Sequence, residues 1–315
     1  MNASSKFAGF TVGLAAVFAL ALGAGAAFGP EDTAPADTHD TQTHDAGTGS
    51  TAGAPVADQT PGGLMVTDSG YTLALDTAQV SAGADVPLRF RILGADGAPV
   101  TRYVDSHDKQ LHLIAVRRDM AEFQHVHPVL DAAGTWSVPL DLTRAGAYRV
   151  FADFTPDGGE GLTLGGDLQV AGSYDPQPLP PVAASAVVDG YTVSLDGTLT
   201  PGQASKVTLT VSRDGQPVTD LQPYLGAYGH LVALRAADLG YLHVHPDGHP
   251  GDGVTAPGPG IDFSVTTPSA GDYRLFLDFQ HDGVVRTAEF TLTAGNVPGA
   301  AVPAAPEPMP AGHGH

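Results

Sequence analysis

Two stretches of this chain carry the same side chains at the same spacing. His112-Leu113-x-Ala115-x-Arg117 is followed, after seven residues, by His125-Val126-His127-Pro128; His230-Leu231-x-Ala233-x-Arg235 is followed, again after seven, by His243-Val244-His245-Pro246. Imidazole is the commonest protein metal ligand, and a strand points residues i and i+2 to one face, so each H-V-H presents two rings side by side. If residues 118–121 form a four-residue turn, Arg117 faces Glu122, and the hairpin sets His112 opposite His127 and Ile114 opposite His125. Opposed Cα atoms then lie about 4.5–5.5 Å apart and alternate residues about 6.5–7 Å apart, so three rings can converge on one ion. The candidate ligand sets are His112, His125 and His127, and independently His230, His243 and His245, each expected at the end of its domain. A one-residue change in the turn would carry His112 to the opposite face and break the set.

The chain has no cysteine, so thiolate sites and disulfides are excluded. An imidazole-only set favours Cu(II), Zn(II) or Ni(II) over Cu(I), and the expected cofactor is a divalent metal, Cu(II) or Zn(II). A three-His zinc with an open position can activate water. Yet no Glu recurs beside the motif as a general base, and there is no nucleophile arrangement or phosphate loop, so the chain reads as a non-enzyme. A competing reading makes the histidines structural. Ile114, Val116 and Phe123 share their face and suggest core, and the protein would then be an envelope interaction module with a protein partner. Asp153 and Asp278 recur at matching positions and read as structural rather than as fourth ligands. His107 and Asp105 could supplement the first site, but the second repeat has Leu225 and Pro223 there; His249 and His281 occur in the second repeat alone and read as surface residues.

What surrounds the motifs is duplicated too. Asp96-Gly97-Ala98-Pro99-Val100-Thr101 matches Asp214-Gly215-Gln216-Pro217-Val218-Thr219, and Ala145-Gly146-x-Tyr148-Arg149-x-Phe151-x-Asp153-Phe154 matches Ala270-Gly271-x-Tyr273-Arg274-x-Phe276-x-Asp278-Phe279. The offset, about 118 to 125 residues, is that of a small domain rather than a solenoid unit. Within the first repeat, residues 71–75, 86–93, 111–116, 123–127, 136–140, 148–154 and 162–170 alternate between Gly, Pro and Asp turns and read as strands, with no helical period. The fold class is therefore all-β, two tandem immunoglobulin-like β-sandwiches at 64–172 and 183–295. Ala-Gly-x-Tyr opening a strand resembles a tyrosine corner, with Val150 and Leu275 where antibody domains carry cysteine.

Outside the repeats, Phe7 to Pro30 is an uncharged apolar stretch after Lys6, readable as a signal peptide cut after Ala24-Gly25-Ala26 or as an uncleaved anchor. Either way the rest of the chain is expected outside the cytoplasm, secreted or held at the membrane by that segment alone. Residues 31–63 are too poor in large apolar side chains to repay ordering and read as a tether; 173–182 is a proline-rich linker; 296–315 is a Pro/Ala-rich tail. His39, His44, His313 and His315 lie in these terminal segments. A net charge of −20 with 14 Lys and Arg excludes the phosphate neutralisation that nucleic acid or an anionic lipid surface requires.

The residues His112 to Pro128 and Tyr148 to Phe154 resemble a pattern, H-L-I-x-V-x-R-D, then F-x-H-x-H-P, then Y-R-V-F-A-D-F, of exported bacterial heavy-metal-associated proteins related to YtkA-like modules. The resemblance covers about 64–172, with 183–295 as its diverged copy. It implies an immunoglobulin-like fold, an envelope location and a link to copper or another divalent metal. One departure is Ser106-His107-Asp108-Lys109, where many members carry Glu-His-Glu-Lys.

Overall fold

The computed structural model describes residues 60–295, so the apolar N-terminal segment, nearly all of the expected tether, the tail and the four terminal histidines lie outside the described residues. In the first repeat the strands are β1 (Thr67–Asp68), β2 (Tyr71–Leu75), β3 (Gln79–Ser81), β4 (Gly83–Leu93), β5 (Tyr103–Val104), β6 (Leu111–Arg117), β7 (Gln124–Val126), β8 (Val129–Leu130), β9 (Trp136–Leu142), β10 (Gly146–Pro156) and β11 (Leu162–Ala171). The second holds β12 (Ser185–Val188), β13 (Tyr191–Gly197), β14 (Ala204–Arg213), β15 (Gln216–Pro217), β16 (His230–Arg235), β17 (Tyr241–Pro246), β18 (Gly260–Thr266), β19 (Gly271–His281) and β20 (Val284–Ala294). Every strand expected from alternation in the first repeat is present. No helix among the described residues is long and apolar enough to cross a membrane.

The first repeat pairs its strands in two sheets, β1-β2-β4-β9-β8 and β3-β11-β10-β6-β7, with β5 added to β10. This is the immunoglobulin arrangement: β2, β4, β9 and β8 take the places of strands A, B, E and D, and β6, β10 and β11 those of C, F and G. The tyrosine corner forms in both repeats. Tyr148 Oη donates to the Arg144 carbonyl at 2.7 Å and Tyr273 Oη to the Ser269 carbonyl at 2.9 Å. Val150 and Leu275, at the positions of the antibody cysteines, are fully buried apolar contacts. In the second repeat one ladder runs β12-β13-β14-β18-β17-β16-β19-β20, because β17 pairs with β16 along most of its length and with β18 at His245↔Ser264 and Pro246↔Phe263. The first repeat makes the same crossing between β7 and β8, with His127 and Pro128 at the step.

Each sandwich has its own core, one built around Phe90, Trp136 and Val150, the other around Tyr191, Phe263 and Phe290. The central strands β6 and β10, and β16 and β19, also bury their outer faces. On β6, Leu111, Leu113 and Ala115 point into the sandwich, while Ile114 and Val116 point the other way. There they meet Val232, Leu234, Tyr241 and Phe276 of the second repeat in a third apolar cluster, completed by Met120, Phe151 and Leu239. Phe123 stacks on Phe276 with ring centroids 3.9 Å apart. The equivalent faces of the two repeats therefore pack on each other, as in an isologous interface. Both repeats lie within one compact unit.

Two further segments tie the halves. The Gly63 N–H donates to the Thr163 carbonyl at 2.8 Å, while the Tyr241 N–H donates to the Gly62 carbonyl at 3.0 Å. The chain at 61–64 thus lies between them, and a Cβ on Gly165 would stand 1.9 Å from the Gly63 oxygen, a contact no side chain tolerates. In the linker, Asp119 accepts from the Gln177 N–H at 2.8 Å, and the Arg117 guanidinium lies over the Tyr174 ring, 5.4 Å from its centroid.

Cleavage of the exposed linker by proteinase K should consequently leave two halves that still elute together in size exclusion. Phe276→Ala, which removes the ring at the centre of the shared cluster at a cost of about 3–5 kcal/mol, should let the nicked halves separate. Immediate separation of the nicked wild-type chain would show that the shared cluster does not hold the repeats together.

Candidate metal centre

The hairpin between β6 and β7 sets the site. Its turn closes with Met120 N–H to the Arg117 carbonyl at 2.8 Å and Arg117 N–H to the Ala121 carbonyl at 2.9 Å. Met120 (φ 67°) and Glu122 (φ 56°) take left-handed conformations, and Glu122 absorbs the extra residue of the return strand as a bulge does. Arg117 locks the turn through a bidentate pair with Asp119, at 2.9 and 2.8 Å, both side chains almost wholly buried. The register is then Leu113↔Val126, Ile114↔His125 and Ala115↔Gln124, the pairing the motif's spacing predicts. In the second repeat Arg235 pairs with Asp238, and the ladder runs Leu231↔Val244 and Val232↔His243, the corresponding register. The side chains of His243 and His245 lie outside the described residues, so the second expected set is placed by backbone alone.

His112, His125 and His127 come together, each offering a nitrogen within 4.8 Å of the others. The His112 Nδ1 to His125 Nε2 distance is 3.1 Å and the His127 Nε2 to His112 Nδ1 distance is 3.2 Å. Outside groups fix which nitrogens carry protons. His112 Nε2 lies 2.9 Å from the Ser106 carbonyl, which can only accept, so Nε2 bears the hydrogen and Nδ1 a lone pair. His125 Nδ1 lies 2.7 Å from Asp278 Oδ2, so Nδ1–H donates to the carboxylate and Nε2 bears the lone pair. Thr287 Oγ1 donates to the other carboxylate oxygen at 2.6 Å and holds Asp278 in place. With His125 neutral, its Nε2 lone pair faces that of His112 at 3.1 Å, an arrangement that a cation between the rings stabilises; a second proton on His125 beside the Asp278 carboxylate, or the His127 Nε2–H at 3.2 Å from His112 Nδ1, would fill the same role. Nitrogens about 2.0–2.1 Å from a tetrahedral ion stand about 3.3 Å apart, close to the spacing seen here. A carboxylate–imidazole–ion relay is also how metal-ligating histidines are commonly oriented.

Burial favours the neutral form of His112, His127 and His230, the form that ligates. It pushes the His112 pKa down to about 4, against the pull of the Ser106 carbonyl and with further lowering from His125. Burial likewise takes His127 down to about 3, helped by His125 and His112, and His230 to about 4, against the Tyr224 carbonyl.

The cluster lies not at the end of a sandwich but on the face where the repeats meet, and one of its orienting groups comes from the other repeat. Asp278 hydrogen-bonds His125 across the seam and so orients its ring, a contact that the recurrence of Asp did not assign. In sequence its signal was the recurrence of Asp in Tyr-Arg-x-Phe-x-Asp-Phe, but which ring it serves depends on packing. Asp153, its counterpart, pairs in the ladder with His112 and accepts from Thr163 Oγ1 at 3.1 Å and from Tyr241 Oη, across the interface, at 3.2 Å. His230 pairs with Asp278 in the ladder and donates Nε2–H to the Tyr224 carbonyl at 2.8 Å, copying His112 and Ser106. Its ring centroid is 6.5 Å from those of His112 and His125, so it stands apart from the trio. His249 is exposed beside the Pro250 carbonyl, and His281 lies against Tyr191 Oη and Asp220.

The depressed histidine pKa values fix a pH dependence for the metal-free protein. The unfolded chain takes up protons below about pH 6.5 while the folded rings resist until about pH 4. Their contribution to stability is therefore whole above pH 6.5 and is lost as the pH falls through 4. The unfolding free energy from urea titration should be flat near neutrality and drop between pH 6.5 and 4, by up to about 3 kcal/mol for His112 alone. His112→Gln should flatten that slope; an unchanged slope would contradict the assignment.

Among curated proteins no relative matches the chain. Solved structures that resemble it include the Escherichia coli adhesin FdeC, at 15% identity and a TM-score of 0.25 over 73% of this chain and 65% of that one. Another is the Yersinia pseudotuberculosis adhesin InvE, at 12% identity and 0.22 over 74% and 60%. A third is a membrane-anchored protein of Corynebacterium diphtheriae described as putative, at 9% and 0.22 over 73% and 60%. This chain thus spans less than two thirds of the length of each, and superposition at such scores supports no inference about what it binds. A family profile, by contrast, matches residues 65–170 and 186–296, the two repeats described above. The chain belongs to the family described as Domain of unknown function (DUF8832).

Proposed function

We propose that this is an extracytoplasmic protein that binds a divalent metal, Cu(II) or Zn(II), without catalysing a reaction on it. The observation that carries the reading is the pair of lone pairs on His112 Nδ1 and His125 Nε2, 3.1 Å apart, with both tautomers dictated from outside by the Ser106 carbonyl and the Asp278 carboxylate. A structural role for these histidines would favour a hydrogen between the two nitrogens. Burial opposes an imidazolium at His112, and in the neutral rings the outside partners of His112 and His125 leave neither facing nitrogen a hydrogen. An all-imidazole trio suits Cu(II) or Zn(II). His230, His243 and His245 form the second site, on the strength of the identical motif and the matching hairpin register. The resemblance to exported heavy-metal-associated proteins and YtkA-like modules agrees with this reading, and the apolar segment at 7–30 supports export.

The test is calorimetric titration with Zn(II) and Cu(II) of the full-length chain in which His39, His44, His313 and His315 are replaced by Ala. About two ions per chain are expected, and His125→Ala with His127→Ala should remove one. If uptake is no greater than in that variant carrying also His230→Ala, His243→Ala and His245→Ala, the histidines are structural and an interaction module is the better description. Asp278→Ala, though it lies in the second repeat, should weaken the first-repeat site about 10- to 100-fold. Unchanged affinity in this variant would remove Asp278 from the site.

A further inference from the structure

The two tight turns that precede β6 and β16 share a backbone but not a side chain. In the first, the Ser106 and Lys109 N–H groups each donate to the other residue's carbonyl, at 2.8 and 3.1 Å, around His107 (φ 51°) and Asp108 (φ 60°). In the second, Tyr224 and Ala227 do the same around Leu225 (φ 52°) and Gly226 (φ 74°). Left-handed φ suits a hairpin turn of this kind but costs an ordinary side chain roughly 1 kcal/mol. The turn carbonyls orient His112 and His230 in the same way, at 2.9 and 2.8 Å. The difference is at the second turn position, His107 against Leu225.

His107 faces the other repeat. Its ring centroid is 5.2 Å from that of His230, nearly perpendicular to it. A ring nitrogen about 2.05 Å from an ion puts the ring centroid about 3.2 Å from it, so two rings on one tetrahedral ion have centroids about 5.2 Å apart and never more than about 6.4 Å. The trio obeys this rule, at 5.3, 4.9 and 4.9 Å. His107 and His230 obey it too, at the tetrahedral spacing; His107 stands 6.1 Å from His112, inside the outer limit but well beyond that spacing. His230 at 6.5 Å from both His112 and His125 does not, so it cannot share their ion without movement. With Nε2–H given to the Tyr224 carbonyl, the His230 lone pair is on Nδ1. A cavity of about 30 Å³ lies at the seam, lined by His107, His112, His125, His230 and Asp153 among others; that is room for one water or one ion.

We propose that His107, from the first repeat, is a ligand of a second divalent-metal position centred on His230, so that the second site is completed across the seam between the repeats. The inference rests on the metal-binding reading of the second motif and adds a ligand that the motif does not contain. It makes the sites unequal: the second gains an imidazole from its neighbour, whereas the first has an apolar leucine at the equivalent turn position. It also makes occupancy of the second site depend on docking of the repeats, because no single repeat supplies its full set.

The experiment uses the full-length chain with His39, His44, His313 and His315 replaced by Ala, titrated with Zn(II) against a chromophoric chelator, with the Cu(II) form read by electron paramagnetic resonance. Two ions are expected. His107→Ala, and His107→Asn, which keeps a residue tolerant of left-handed φ, should weaken the second ion roughly tenfold or more. Each should also remove nitrogen coupling from its Cu(II) spectrum, with the first ion unchanged. Thermal unfolding of the metal-free variants separates this from loss of fold. A second ion lost in His230→Ala but held within about twofold by both His107 variants overturns the inference and keeps the metal reading. Uptake of a single ion by the parent overturns the inference alone, and uptake of none overturns both.

Discussion

Burial of the central strands on both faces is the constraint from which the rest follows. Strand β6 has no exposed residue from Leu111 to Arg117, and from His230 to Leu234 β16 is buried throughout. A sandwich of this class covers one face of such a strand, so the other must find a partner of its own. In a chain carrying the domain twice, the partner is the second copy. The same alternation that sends Leu113 and Ala115 inward sends Ile114 and Val116 to the seam, and with them His112. The histidines are thus lifted out of water by the apolar contact that joins the repeats. The depressed proton affinity of His112 and His230 is a consequence of that contact rather than of the hairpin alone.

The arrangement also explains why polar groups survive in a buried interface. His112, His125, Asp153, His230 and Asp278 all lie on outward faces near one end of the shared apolar cluster, and a buried polar group without a partner is costly. Each described one has partners: turn carbonyls for His112 and His230, the Asp278 carboxylate for His125, Thr163 and Tyr241 for Asp153. Two of these contacts, His125 to Asp278 and Tyr241 to Asp153, run between repeats in opposite senses, so they fix the register of docking as well as the orientation of the rings. Arg117 works at the other end of the hairpin. It holds the turn through Asp119 and the linker through Tyr174 and the Asp175 carbonyl, so one side chain sets both the strand register and the exit path of the chain.

Much of this was legible in residue order. Strand periodicity marked the seven main strands of the first repeat, and Ala-Gly-x-Tyr marked both tyrosine corners, because these are local signals of side-chain alternation and turn chemistry. The spacing between His112 and His125 allowed the trio given the right turn length, and the hairpin supplies it, with the left-handed Glu122 restoring the register. The suspicion that Ile114, Val116 and Phe123 belonged to a core was also sound, though that core lies between the repeats and not inside one.

Tertiary structure alone decided what stands around the rings. Asp278 is 153 residues from the histidine it orients, and nothing in its own strand pattern distinguishes a carboxylate facing solvent from one facing the other repeat. His107 looked like an unmatched neighbour of the first motif because the second repeat lacks it; packing sets it nearer to His230, at 5.2 Å between ring centroids, than to His112, at 6.1 Å. Sequence marked the longer strands of the first repeat and the alternation of their faces, for these follow from backbone periodicity within a few residues. Which outward faces meet, and so which donors and acceptors complete a site, depends on the fit of two whole sandwich surfaces. No local pattern encodes that fit.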